Sequence, residues 1–591
     1  MLSKRWIMML CLTILSTTAG CNLLPAKLRP NATQPATATP SAPDTRESTQ
    51  DSLFATPLHA ASFRGDVAEI ERLTAQGADV NARNQKGATP LHRAVLNGKQ
   101  AAVELLINKG ADVNTHDQMG ATPLHVAYDH ILASLLIRRG AAIEANMQGG
   151  VTPLHAAIMR KKAVIAATLI NKGADVNART EEGLTPLHRA VLQDDLKIAE
   201  LLIDKGADLN AMLPAHVSLA PDAPQDANTT PMTADMADAT PLWLAILQDR
   251  KEMATLLMDK GADVNLAKPN GVTPLYTAVE KGDAQMAEHL ITKGADVSSK
   301  AIFGMSPLHN AVSQGDTAMA NMLIAKQATV NAHDNDGATP LHSADNRALV
   351  DMLIAQEASI EARDNHGMTP LHWAIFQGKT KVAKLLIARG ANVNARAHDS
   401  STPLHMAAWM GDLAVARLLI AKDAEVNAKT TLGESPLHHA AALGETAVAK
   451  LLIIKGAEIN ARTTLGESPL HHASATDDLA TVKLLVSRDA DLNARADDDA
   501  TPLFTAAATG ATEVAEWLLA QGAEINTPNH QGETPLYRAA LEGHEAVVAL
   551  LMANGADPHA TTVRGATALS AATSRGHDAV ALLLKQHGAT P

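Results

Sequence analysis

The sequence predicts an all-α solenoid of about sixteen helix–turn–helix repeats with projecting loops, and three observations predict it. The tripeptide Thr-Pro-Leu, or a close variant, places a proline at 57, 90, 123, 153, 186, 241, 274, 307, 340, 370, 403, 436, 469, 502 and 535, mostly 33 residues apart. Self-similarity at periods of roughly 20–50 residues marks stacked repeats rather than independent globules. Each period carries two short apolar helical stretches separated by glycine. Finally, 46% of the 591 residues are apolar but only 2% are aromatic, a composition for small, closely packed helices.

At the N-terminus, Lys4 and Arg5 precede the apolar run Trp6 to Leu15 and small residues up to Gly20, the order of a secretory leader over 1–20. The apolar run is too short to span a membrane stably. Thr18-Ala19-Gly20-Cys21 resembles a bacterial lipoprotein signal, although Thr18 stands where leucine is usual. The resemblance implies acylation of Cys21, and Asn22 after it implies sorting to the outer membrane, facing periplasm or surface. An ordinary cleaved leader and an uncleaved anchor are the alternatives. Residues 21–50, rich in Pro, Thr and Ala without apolar periodicity, read as a lipid-anchored disordered tether that reaches about 90 Å if extended.

Repeats one to five then occupy 51–212, and repeats six to sixteen occupy 235–591. In the second repeat Thr89 caps a helix, Pro90 sits at its first position where a missing N–H is harmless, and Gly98 ends it in a left-handed conformation. Leu91, Ala94 and Val95 form its apolar face; Val103, Leu105, Leu106 and Ile107 are expected to be buried in the second helix, which Gly110 closes. The variants TPLHRA, TPLHVA, TPLHAA, TPLHWA and TPLHMA closely resemble the ankyrin-repeat signature. That resemblance implies a stack whose neighbours share one continuous core and whose groove and loop tips bind proteins. Units 117–146 and 334–363 are three residues short at the corner between the helices. Residues 213–234, with four prolines, form an insertion at a repeat junction, either a flap or a tolerated loop. Near-identity of NAKTTLGESPLHHAAA and NARTTLGESPLHHASA points to a recent duplication.

The net charge of −13, with both signs scattered along each repeat, argues against nucleic-acid binding, which needs a basic stripe. Both cysteines, Cys11 and Cys21, precede the repeats, so neither disulfides nor thiol chemistry operates in them. Eleven histidines (59, 92, 125, 155, 188, 309, 342, 372, 405, 438 and 471) hold the fourth motif position. A column of metal ligands would not tolerate Trp243, Tyr276, Phe504 and Tyr537 in it, and the resemblance implies hydrogen bonds to loop backbone. Held neutral, these histidines are expected to make stability fall between roughly pH 6.5 and 5. The doubled pairs His438–His439 and His471–His472 lack a third ligand. Acidic tips such as Asp497-Asp498-Asp499 and Glu181-Glu182 lack calcium-loop spacing. No phosphate loop, nucleophile elbow or zinc-protease motif occurs, so neither catalysis, cofactor nor metal is expected.

The column two residues before the glycine that ends the first helix admits Glu280 and Ser313, so it is not obligatory core. Phe376 and Trp409 fall there one repeat apart, with Trp373 and Met406 one turn earlier and Met368, Met410 and Leu443 nearby. In a chain poor in aromatics, this cluster is either a partner-binding surface or extra inter-repeat packing. The resulting expectation is a monomeric scaffold or inhibitor at the bacterial cell envelope, touching membrane only through its anchor, with a protein of unknown identity held near 364–443. A structural envelope spacer and a secreted host-directed effector are the alternatives. If Cys21 is the acylation site, Cys21→Ser abolishes fatty-acid labelling and releases the protein or leaves its leader uncut, whereas Cys11→Ser changes neither. Absence of label from the unmutated protein contradicts the anchor.

Overall fold

The computed structural model describes residues 55–215 and 237–590; the leader, Cys21, the tether and most of the insertion lie outside the described residues. Within them sixteen helix pairs follow one another, from Pro57–Arg64 with Val67–Ala75 to Ala568–Ser574 with Asp578–Gln586. One hydrophobic cluster runs through every pair, from Leu58 to Ala589.

The second repeat shows why a pair forms. Its first helix is Pro90–Leu96, with Leu91, Ala94 and Val95 fully buried, and Gly98 at φ +67° turns the chain into the second helix, Gln100–Asn108. There Ala102, Val103 and Leu106 are buried, but Leu105 and Ile107 are only half-buried. A nine-residue helix presents one narrow face to the core, so the residues flanking Leu106 reach its edges rather than its centre. No such pair buries its apolar face alone, so stacking is obligatory.

In the two short units the first helix shrinks to one turn, Pro123–Val126 and Pro340–Ser343, while the second helices His130–Arg138 and Arg347–Ala355 keep nine residues. The glycine corner is replaced by Asp129 and Asn346, whose side chains accept the N–H of Leu132 and Leu349 at 2.9 and 3.0 Å. Between loops, an asparagine ladder repeats: Asn81 donates to Gly110 O (3.2 Å) and accepts from Asp112 N–H (2.9 Å). Across the insertion the ladder continues, because Asn210 accepts from Asp263 N–H at 2.9 Å, and Lys260 pairs with Asp204 at 2.8 Å. Repeats five and six therefore stack although the chain between them is longer.

The motif histidine joins consecutive repeats. Thr89 N–H donates to His92 Nδ1 (3.2 Å), and Thr89 Oγ1 lies 2.9 Å from the same nitrogen. A backbone N–H is always a donor, so Nδ1 must be the unprotonated acceptor, the part glutamate plays in a capping box. Nε2 then carries the hydrogen and donates to Ala121 O of the next repeat at 3.0 Å. His59, His125, His155, His309, His342, His405, His438 and His471 repeat the bond to the following loop at 3.0–3.2 Å. At His188, beside the insertion, and His372 the buried Nε2 has no hydrogen-bond partner, although the carbonyls of Ala239 and Ser401 are near enough to act on each ring's charge. Where Trp243, Tyr276, Phe504 and Tyr537 replace histidine, their backbone N–H still meets the capping threonine at 3.1–3.2 Å.

Burial disfavours the imidazolium, and the carbonyl at Nε2 offsets this only in part. His125, His155, His188, His309 and His372 are pushed down to about 4, His405 and His438 to about 3. The folded values lie below the unfolded value of about 6.5, so this stabilisation is complete above pH 6.5 and is lost as pH falls toward the folded values. Each such ring costs about 1.4 kcal/mol per pH unit in that window, and several act together. Melting temperature is therefore expected to fall steeply from pH 6.5 toward 4, a wider window than the sequence alone suggests. A triple variant His155→Gln, His188→Gln, His309→Gln is less stable at pH 7 with a shallower pH slope in thermal melts. A flat profile, or an unchanged slope in the variant, contradicts the role given to these rings.

Candidate binding pocket

Three consecutive loop turns and the first helices behind them build the site. In the first turn Asp364, 5% exposed, accepts the N–H of His366 and of Met368 through Oδ1, both at 2.8 Å, the side chain closing the turn. Its Oδ2 accepts Trp373 Nε1–H at 2.7 Å, so the loop fixes the indole on helix Pro370–Phe376. One repeat on, Ala397 occupies the corresponding place, and Asp399 closes that turn by accepting from Ser401 N–H (2.9 Å) and Oγ–H (2.6 Å). Thr430 stands there in the third turn, accepting Glu434 N–H at 3.2 Å. The tips are tied edge to edge by His398 N–H to His366 O (2.8 Å) and Thr431 N–H to Asp399 O (2.7 Å).

Against these turns lie the helices Pro370–Phe376, Pro403–Trp409 and Pro436–Leu443. They enclose an open cavity of about 290 Å³ whose apolar wall includes Met368, Trp373, Phe376, Met406 and Trp409. Ala397, where the loops before and after carry Asp364 and Thr430, lines the cavity with a small side chain. Trp373, Phe376, Met406 and Trp409 are half-buried. Met368, placed by its sequence in an exposed cluster, is instead 8% exposed because its N–H and backbone are drawn in by Asp364. Met410 and Leu443, at 40% and 41% exposure, lie outside the cavity wall, each one residue past the column that holds Phe376 and Trp409. Trp409 meets the His439 ring edge-on at 5.8 Å, and Trp373 meets His342 at 6.5 Å.

The polar part of the wall escaped sequence reasoning. Asp364, Asp399, Glu434 and His439 belong to it or hold it, and Leu432, 52% exposed at a loop tip, extends its apolar rim. The doubled histidines supplied the missed signal. His438 is consumed by its cap and by Glu467 O, while His439 turns the other way, its Nε2 3.4 Å from Glu434 Oε2. The pair does not converge on a common point, and the described residues hold no group of three or more ligands suited to a metal. His472 repeats the arrangement with Glu467 at 3.3 Å. Burial alone would raise the Glu434 carboxyl, but His439 beside it outweighs this and holds it well below the usual range, so Glu434 is an anion at neutral pH. The acidic tips are engaged elsewhere: Asp497 with Arg462, Asp499 with Arg495 and His530, Glu182 with Arg189.

The family model for ankyrin repeats, described as three copies, matches residues 58–146, 128–212, 219–301, 298–364, 344–430, 404–496, 437–529, 470–562 and 526–591. No curated protein matches the chain significantly. The crystal structure of the human ASB11 ankyrin repeat domain is similar at 28% identity over 38% of this chain and 100% of that one, with a TM-score of 0.35.

Asp364 carries three hydrogen bonds from one buried carboxylate, two of them closing the turn. Asp364→Ala is expected to cost about 2–3 kcal/mol in a denaturant melt and to shift the Trp373 indole N–H resonance toward solvent-exposed values. A variant as stable as the parent with an unmoved indole signal shows that Trp373 is held by packing instead.

Proposed function

The chain belongs to the ankyrin-repeat family, and from that premise we propose that it is a protein-binding scaffold or inhibitor whose partner docks on the pocket between residues 364 and 443. Ankyrin repeats are typically non-catalytic interaction scaffolds, and the fold here supports the coarser statement of a protein-interaction stack. The observation that supports the finer reading is the clustering of two tryptophans, a phenylalanine and two methionines around one open cavity, in a chain with five tryptophans and five phenylalanines. Partner hot spots are enriched in such half-exposed aromatic anchors. In this reading the leader and Cys21 tether the stack to the bacterial envelope, and the body acts without a cofactor, as a monomer.

Crosslinking in intact cells identifies what the pocket holds. Trp409→Ala and Phe376→Ala are expected to lose about 2 kcal/mol or more of affinity for that partner, against Ser313→Ala as control. A fully buried tryptophan cut to alanine costs about 3–5 kcal/mol of stability, whereas half-buried Trp409 is expected to cost clearly less. If Trp409→Ala collapses the denaturant melt while binding per folded molecule is unchanged, the cluster is core and the docking site lies elsewhere. Retention of cell-wall polymer rather than a dominant protein would favour a structural spacer.

A further inference from the structure

Resting on that reading, we infer that the cavity receives the guanidinium side chain of one arginine of the partner. Its wall carries two carboxylates, Asp399 at the rim and Glu434 inside, and three histidines, His366, His398 and His439, the last beside Glu434, but no lysine or arginine. The arginines nearest in sequence are turned away: Arg363 donates to the carbonyls of Gly367 and Arg396, and Arg396 to Lys429 O and Glu425.

The occupant must satisfy both the walls and the anion. Glu434 shares its charge with His439, 3.4 Å from one carboxylate oxygen, but otherwise sits in a mostly apolar surround, so a neutral apolar side chain filling the cavity would strip its remaining water and return nothing. A cation compensates that charge and is also attracted by the indoles of Trp373 and Trp409. Among cations, an ammonium is a compact, strongly hydrated charge that is costly to bring among apolar walls. The guanidinium is planar, more weakly hydrated and suited both to stacking on aromatic rings and to paired hydrogen bonds with a carboxylate. The aliphatic stem of the arginine then packs on Met368 and Met406. Trp373 is already fixed by Asp364 and the loop tips are already bonded to one another, so little ordering is needed on binding.

The test uses the full chain and Nα-acetyl-arginine amide as probe, with the citrulline, lysine and leucine amides beside it, followed by calorimetry and by the indole N–H signals of Trp373 and Trp409. The arginine amide is expected to bind at least tenfold more tightly than its neutral isostere citrulline, more tightly than lysine, and to shift both indole signals. Glu434→Gln is expected to remove about tenfold of the arginine affinity and leave leucine amide unaffected, while Glu467→Gln, the equivalent position one repeat on, changes neither. Circular dichroism confirms that both variants are folded. Citrulline, lysine or leucine binding as tightly as arginine, or an arginine affinity indifferent to Glu434→Gln, overturns the inference. The docking reading is judged separately: if Trp409→Ala abolishes capture of the crosslinked partner while the arginine probe shows no preference, the pocket stands as a docking site and the arginine assignment falls.

Discussion

A neutral imidazole, accepting at Nδ1 and, in nine of the eleven repeats that carry it, donating at Nε2 to the following loop, is the interaction on which this stack depends. The tautomer is not a free choice, because the threonine N–H three residues earlier can only donate. That donation obliges Nε2 to reach for the carbonyl of the following loop, so a local helix cap becomes a bond between repeats. Burial of the apolar faces supplies the larger share of stability, yet it is not directional. Where it bonds the next loop, the histidine supplies direction, setting the new pair at a fixed register on the last. Its cost is that the ring must stay neutral, which burial enforces by pushing its pKa down.

A structure assembled from nearest-neighbour contacts tolerates local departures. Two repeats lose a turn of their first helix and keep the second helix and the stacking bond, His125 to Val151 O and His342 to Met368 O. At the insertion the asparagine ladder bridges Asn210 and Asp263 as it would in an uninterrupted array. Because no repeat depends on distant ones, variation at a few positions can be concentrated without unfolding the rest. The pocket is such a concentration: tryptophan after the motif histidine in one repeat, alanine in the next loop, tryptophan at the helix end, and a Glu–His pair beyond. Together they line one cavity. The function drawn from it follows from what surrounds the cavity rather than from the fold, which by itself serves many partners.

The repeat number, the helix caps and the two shortened corners were legible in the amino-acid sequence, because each is set by interactions within three or four residues or by a period of 33. The aromatic cluster was legible too, since residues one period apart stack on the same face. What only the tertiary structure decided is which of those side chains share a cavity. Met368 turns inward under Asp364, Met410 and Leu443 fall outside the wall, and Leu105 and Ile107 sit at the edge of their helix rather than at its centre. Nor does sequence show that Asp364 grips the Trp373 indole nine residues away, or that His438 and His439 part company, one to a neighbouring carbonyl and the other to Glu434. The physical reason is the same in each case: periodicity fixes the direction of a side chain from its own helix, while its burial and partners depend on loops of adjacent repeats whose side chains meet only after stacking.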